Sequence, residues 1–533
     1  VVQCLIPREA IVKTFYERFC RPVLKQLEDP GATQETCLKK ILKRCENTVF
    51  GRQYGFSDIT SIEEFQRKVP LTTYESLQPY IARCSQGEQN VLFPDKIVKF
   101  LVTSGTTGDP KYHPFGECRV EEFILDSLMA SVFYLVHTGN YDIMDGAVLA
   151  LTASPQLGQK IGEYDVAFFS GGITGVPIPE RLQKLRNLRL GMSSSRVPPQ
   201  EVALCSDWAE KFYLTARHAV AADVRSIIGE TSKIVSQLRK IKSDYYNRLL
   251  ADPALNEKIK EKLRKVSQNG SIDLQELWPN FRLVFAGGIS LTPYRRQIQD
   301  LLGNVDIWEQ YGASEASLGL KIFPDKGIIP MIHRTFFEFI PDNEENTTPV
   351  PISDVKRNTP YRIIVTNNGG FYRYDLGDLV VFTDLDPPVI GEISRKKALV
   401  SLVGERTSEE LILRVLERAC EQFKISFVDF ALLPEVTDKI IRYHLFVEFT
   451  QLPDDLEEFT SVVDTRLSIA SFIYSIKRKQ KVMSSLVIVP VQPGGFDITL
   501  LKLGKTPEQG KLPRLLTPEL SRLIPLLNPS SQL

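Results

Sequence analysis

Hydrophobic residues recur every fourth position near the start of the chain, at Ile11, Phe15, Phe19 and Val23. That spacing lays one apolar stripe along a helix and predicts that residues 1 to about 95 are mostly helical. Ser61, followed by Ile62, Glu63 and Glu64, offers an N-cap with acids in the first turn. From about residue 97 the pattern changes. IVKFLVTSG is a short apolar run ending in a Gly-rich turn, as a buried strand does, and the following EEFILDSLMASVFYLV is helical. GAVLALTAS, FRLVFAGG and VDIWEQYG are further strands, the last two separated by the helical TPYRRQIQDLLG. Alternating strand, turn and helix is the pattern of an α/β sheet.

Residues 205 to 265 read as helical, with SIIGETSKIVSQLRKI amphipathic. RTFFEFIP and YRIIVTNNGGFYRYDLGDLVVFT predict successive strands and turns, a small β-barrel-like unit. DLDPP, at 384–388, is a turn-rich break. Beyond it, helix SEELILRVLERACEQF, strands DFALLPE and YHLFVEFT, helix DTRLSIASFIYSIKRK and strand SSLVIVPV form a smaller α+β tail. The expected fold is therefore α/β. A large N-terminal α/β domain over 1–393 carries the barrel-like unit, and a smaller α+β domain covers 394–533.

Composition narrows the function. The 533 residues are 43% hydrophobic and 24% charged, ordinary for a globular enzyme. Lys plus Arg equal Asp plus Glu at 65 each, so the chain lacks the positive surplus that non-specific nucleic-acid binding needs. The densest basic run, Lys477 to Lys481, reads as a solvated helix end. The 8 cysteines form no C-x-x-C pair, which suits reduced thiols and a cytoplasmic location. The 5 histidines are dispersed, without metal-ligand spacing, so none is assigned to a metal. No targeting segment is expected from the short, weakly apolar stretch before Arg8. The longest apolar run, Leu128 to Val136, is too short to span a membrane.

Three segments carry candidate chemistry. In the first, a strand delivers Thr103, Ser104, Gly105, Thr106, Thr107 and Gly108, with Lys111 close behind. Glycines let backbone N–H groups approach phosphate oxygens, hydroxyls donate to them, and lysine opposes their charge. It is not a Walker loop, because G-x-x-x-x-G-K-S/T is absent; Gly504-Lys505-Thr506 has Thr499 where the first glycine belongs. In the second, the strand turn Gly287-Gly288 precedes Tyr311, Gly312, Ala313, Ser314 and Glu315. An acid at the end of a sheet strand can hold Mg²⁺ against phosphate oxygens. In the third, Tyr372 to Asp378 places a carboxylate by a Gly turn, suited to accepting two ribose hydroxyls. Taken singly, each also suits a plain surface turn.

In this order the three segments resemble the adenylate-forming superfamily of acyl-CoA synthetases, peptide-synthetase adenylation domains and luciferases. Within it the chain is most similar to the GH3 acyl acid amido synthetases, through LWPNFRLVFAGG, FFEFIP, VTNNGGFYRYDLGD, DTRLSIASFIYSIKR and GKTPEQGKLPR. The resemblance spans about residues 10 to 515. It implies a ligase that uses ATP and Mg²⁺, adenylates a small carboxylic acid and passes the acyl group to an amine. Ser104, Gly105, Thr106, Thr107, Gly108 and Lys111 match the phosphate loop, and Gly287 and Gly288 the strand turn. Tyr311, Gly312, Ala313 and Ser314 would lie by the nucleotide, with Tyr311 and Gly312 against adenine. Glu315 matches the metal-site acid and Asp378 the ribose ligand. Arg395 and Lys397 match a hinge, as nucleotide contact and pivot, and Lys511 a mobile lysine that reaches the reacting carboxylate. Lys111, Glu315 and Lys511 are thus the implied catalytic set. Asp375 stands where plant members carry a basic residue, and the Ser-Gly-Thr-Thr-Gly loop is nearer the acyl-CoA synthetase pattern.

The acyl pocket is expected between helix 119–136 and strands around 165–178, lined by Phe123, Leu128, Met129 and Phe133, residues equally suited to core packing. Arg119 would face a polar substrate group or solvent. Two rivals share the motifs: an acyl-CoA ligase, which differs in the acceptor, and a non-catalytic nucleotide-binding protein on the same fold.

Overall fold

The computed structural model describes residues 8–102, 111–152, 158–169, 195–205, 207–287, 291, 294–342, 348–395, 399–400, 402, 407–436, 440–479, 481–502, 512 and 514–515. They form two compact units, one within Val1–Thr103 and Lys111–Ile393 and the other within Ser394–Leu533.

The first unit is built on a sheet of twelve described strands. At one end, Ala147–Leu151, Val224–Glu230, Leu283–Gly287 and Asp306–Gly312 run parallel as neighbours. Along LVFAG, Leu283 and Phe285 join a core with Trp308, while Val284 and Ala286 join another with Trp278 and Ile298. Both sheet faces are therefore covered, which is why the run is apolar throughout rather than alternating. The crossover from Leu283–Gly287 to Asp306–Gly312 is helix Arg295–Leu302, which buries Ile298, Leu301 and Leu302. Register places the carboxyl ends of the parallel strands along one edge, with Leu151 beside Gly229, Glu230 beside Gly287 and Gly287 beside Gln310.

Residues 205–265 contain a strand that their helical reading did not include. Val224–Glu230 lies inside the sheet, between two parallel partners, and the amphipathic helix begins at Thr231. An apolar run of this length suits a strand as well as a helix, and the neighbouring strands decide between them. The β-rich stretch from Thr335 to Arg395 is continuous with the same sheet, joined to it by the pair Ile328↔Ile390. A separate four-stranded sheet, in the order Tyr112–Gly116, Ile97–Val102, Tyr164–Phe168, Lys160–Ile161, leads into the 22-residue helix Glu117–Thr138. That helix stops at Gly139, whose φ of +72° is a left-handed C-cap open to glycine without strain. In the helical N-terminal region, Ser61 caps Ile62–Lys68 by accepting from Glu64 N at 3.2 Å.

In the second unit, Phe427–Val436, Ile441–Phe449 and Val487–Pro490 form a three-stranded sheet. Phe430, Leu432 and Leu445 pack with residues of helices Glu409–Phe423 and Leu456–Ala470, while Ala431, Leu433 and Phe446 pack with Phe496 and Leu500 of Gly495–Lys502. The segment read as a single helix, DTRLSIASFIYSIKRK, breaks at Ser471, whose hydroxyl accepts from Tyr474 N and starts Phe472–Lys479. Within the basic run, Arg478 is turned inward onto Asp464 at 2.8 Å rather than solvated. Among the described residues, no helix is long and apolar enough to cross a membrane.

Candidate functional site

Lys111 stands at the mouth of a hairpin. Ile97–Val102 and Tyr112–Gly116 pair antiparallel, with Val102 opposite Tyr112. Ser104, Gly105, Thr106, Thr107 and Gly108 fall between them, outside the described residues. The Lys111 ammonium lies 3.2 Å from Glu75 Oε1 and 5.0 Å from the centre of the Tyr74 ring. The Thr73 hydroxyl, a backbone N–H and Lys111 together hold the Glu75 carboxyl down at about 2. Tyr74 and Glu75 open the helix Tyr74–Ser85, so a helix N-terminus faces this lysine.

Glu315 sits at the tip of a tight turn. Strand Asp306–Gly312 folds back onto Ser317–Lys321, and Ala313 and Ala316 close the turn through hydrogen bonds of 2.9 and 3.3 Å. The Glu315 side chain points inward and is 13% exposed. Ser314 Oγ donates to its Oε2 at 2.8 Å, Asn367 Nδ2 donates to its backbone carbonyl at 3.0 Å, and His113 Nε2 lies 3.5 Å from its Oε1. Burial alone would push this carboxyl up; His113, Ser314 and a backbone N–H outweigh it and hold the group at about 2. Glu315 is therefore an anion at neutral pH.

The third segment meets the second through Tyr311. Its hydroxyl donates to Asp378 Oδ2 at 2.8 Å, and Asp378 is buried. The carboxylate is carried by strand Tyr374–Leu385, whose start is anchored by Thr72: Thr72 N donates to Arg373 O at 2.8 Å and Asp375 N to Thr72 O at 2.9 Å. Gly377, at φ +72°, sits at an irregularity in this strand just before Asp378, in a conformation L side chains rarely adopt. Asp375 Oδ1 accepts from Gly377 N at 2.9 Å and its Oδ2 lies 3.4 Å from Arg362 Nε, so this residue braces the irregularity. Arg373 faces away from the cluster into the fold, with Nη2 3.0 Å from Glu338 Oε1 and Nη1 donating to Gln66 O and Val69 O at 2.7 Å.

Phe169 extends the arrangement toward helix Glu117–Thr138. It lies 3.8 Å from where a Cβ on Gly312 would be and meets Phe123 edge to face, with ring centres 5.0 Å apart. Phe123 is half-buried; Leu128, Met129 and Phe133 are buried in the large core. Arg119 is not solvated: it is buried and paired with Glu122 at 2.7 Å. Asn368 also donates to Glu122, at 3.0 Å. At Gly287 the neighbouring backbone comes close, since a Cβ there would lie 3.0 Å from Gln310 O. Gly288, Lys511 and the side chain of Arg395 lie outside the described residues.

The structure thus gathers Lys111, Tyr311, Glu315 and Asp378 with a residue that sequence reasoning passed over. His113 is 1% exposed, and its ring meets those of Tyr74 and Phe371 at 5.3 Å each. Its only sequence signal was its place two residues beyond Lys111.

Among the described residues, no three His, Cys, Asp or Glu side chains gather as a metal cage. Mg²⁺ bound with a nucleotide asks for less: one or two carboxylates, with phosphates and water supplying the other oxygens. A single ionised carboxylate such as Glu315 fits that demand.

The GH3 family N-terminal domain matches residues 21–252, the central domain 328–395 and the C-terminal domain 410–519. The chain belongs to the GH3 family. This GH3 chain is 25% identical over 550 residues to jasmonoyl–L-amino acid synthetase JAR4 of Nicotiana attenuata, covering 92% of each chain. It is 24% identical over 478 residues to indole-3-acetic acid-amido synthetase GH3.2 of Arabidopsis thaliana, covering 80% and 83%. A GH3.15 acyl acid amido synthetase has the same fold, with TM-score 0.79, 22% identity and 96% of both chains covered. A 2-hydroxyisobutyryl-CoA ligase shares it more loosely, with TM-score 0.57, 12% identity and coverage of 95% and 94%.

Proposed function

We propose that this GH3 chain is an ATP-dependent acyl acid amido synthetase. It joins a small carboxylic acid to AMP, then transfers the acyl group to an amine of the amino-acid type, releasing AMP. The observation that carries this reading is that Lys111, through Tyr74 and His113, is linked to Glu315, which follows Tyr311 of the Tyr311–Asp378 pair, so three distant parts of the chain meet.

In the first half-reaction a carboxylate oxygen of the acid attacks the α-phosphorus of ATP, and the bond to the β-phosphate oxygen breaks. Lys111 opposes the charge that develops on pyrophosphate, together with the hydroxyls and glycines of 104–108. Asp378 accepts from the ribose hydroxyls, and Tyr311 and Gly312 lie against adenine beside Ala313 and Ser314. Glu315 would hold Mg²⁺, which neutralises phosphate charge when bound. In the second half-reaction the amine nitrogen attacks the acyl carbon, AMP leaves, and the amine gives up a proton. Positioning of the two reactants dominates this step. The acid would lie by Phe123 and Phe169. The family resemblance assigns Lys511 and Arg395 to a C-terminal domain, 394–533, that turns about Lys397 to serve the first step and then withdraws. A reducing cytoplasm is the proposed location; it suits the free thiols at Cys20, Cys37, Cys45, Cys84, Cys118, Cys205 and Cys420.

The test is an ATP–pyrophosphate exchange screen across carboxylic acids, followed by an acceptor screen with the acid that responds. Acid-dependent exchange and amide formation without CoA are expected. Release of ADP and phosphate would overturn the reading, and acid consumption that requires CoA would replace it with an acyl-CoA ligase.

A further inference from the structure

His113 is a polar ring buried against two aromatic ones. Tyr74 and Phe371 meet it edge-on, each with its centre 5.3 Å away. Among the described residues neither ring nitrogen makes a hydrogen bond, although the side chain is 1% exposed. A buried polar group without a hydrogen bond costs stability, so a phenylalanine-like wedge would serve packing alone better. What the imidazole adds is a ring nitrogen beside the acid, because Nε2 lies 3.5 Å from Glu315 Oε1. The other carboxylate oxygen is already held by Ser314 Oγ at 2.8 Å, and the backbone behind it by Asn367.

We propose that His113 is a positioning residue for Glu315, its Nε2–H closing onto Oε1 when nucleotide binds and turning the carboxylate's free lone pairs toward a divalent cation carried on the phosphates. This deepens the adenylation reading and rests on it. Hydrogen bonds of this kind are often long before the ligand arrives and tighten in the complex. Two contacts to Tyr74 tie the device to the phosphate side of the site: the ring lies 5.0 Å from the Lys111 ammonium and 5.3 Å from the His113 ring. Movement of Lys111 onto phosphate would therefore be felt at His113 and, through it, at Glu315.

The experiment is calorimetric titration of the full chain with ATP, in EDTA and at increasing Mg²⁺, for wild type, His113→Phe, His113→Gln and His113→Asn. Phe keeps the ring contacts without a donor. The Gln amide reaches the Nε2 position, whereas that of Asn stops at Nδ1. His113→Phe is expected to need about 10–100-fold more Mg²⁺ to reach the tight-binding form, with the chain folded and its ATP affinity in EDTA unchanged, as found when the partner orienting a metal ligand is removed. His113→Gln should recover most of the Mg²⁺ response and His113→Asn should not. An unaltered Mg²⁺ response in His113→Phe overturns the proposal, as does equal loss in the Gln and Asn variants, which also decide the matter if the Phe variant fails to fold. Wild-type protein that binds ATP identically with and without Mg²⁺ overturns the adenylation reading itself, and this inference with it.

Discussion

The Tyr311 hydroxyl donates to Asp378 Oδ2 across 2.8 Å, tying the end of one sheet strand to an acid near the start of another. Under the proposed function the tyrosine has two uses, a ring for adenine and a hydroxyl that orients the ribose acid. Tyr311→Phe keeps the first and removes the second. A hydrogen bond to a charged group contributes about 1.5–3 kcal/mol, so KM for ATP in pyrophosphate exchange should rise by roughly 10–100-fold. An unchanged KM would mean that Asp378 holds its place without Tyr311.

Glu315→Ala and Asp378→Ala should each remove most of the adenylation half-reaction while the chain stays folded. Loss of one electrostatic contact to the transition state costs about 2–4 kcal/mol. Near-wild-type exchange rates in folded variants would show that the nucleotide lies elsewhere.

Arg373 has the opposite profile, although it stands within the same motif. It is buried, as is its partner Glu338, and it also satisfies the carbonyls of Gln66 and Val69. Arg373→Met leaves an unpaired buried carboxylate and should destabilise the first unit by about 3–5 kcal/mol in denaturant unfolding. The double variant Arg373→Met, Glu338→Leu should recover part of that loss. A single variant as stable as wild type would contradict a structural role.

The Glu315 carboxyl, held at about 2 against an ordinary 4.5, carries a pH signature. A group whose folded value is depressed adds stability above its unfolded value and loses it as pH falls toward the folded one. In EDTA, the Tm of wild type relative to Glu315→Gln should therefore be constant at neutral pH and fall as pH drops from 4.5 toward 2. A gap that does not change across that window would show that Glu315 is not held ionised by its neighbours.

Lys511→Ala separates the two half-reactions. Acyl-AMP formation should slow by about 10²–10³-fold, the effect of one charge-stabilising group, with transfer from preformed acyl-AMP little changed. Single-turnover kinetics on each step decide it, and equal loss in both would contradict a lysine that acts only in the first.

The sequence alone determined most elements and singled out the three segments proposed to face the nucleotide. Apolar periodicity is local, so the run Ile97–Val102, the helix Glu117–Thr138 and the strand–helix–strand from Leu283 to Gly312 could be read where they stand. Glycine and hydroxyl spacing is local too, and it marked Lys111, Glu315 and Asp378. Partnership is not local. Val224–Glu230 became a strand because parallel neighbours flank it, and Ser471 interrupted what periodicity presented as one helix. Arg119, a candidate for solvent or substrate, was turned onto Glu122, and Arg373 onto Glu338, because a buried charge needs an opposite one within reach. His113 had no pattern of its own, and only folding set its Nε2 3.5 Å from Glu315. Tertiary structure alone decided such pairings, since the energy of a buried polar contact depends on distances in space that no spacing along the chain encodes.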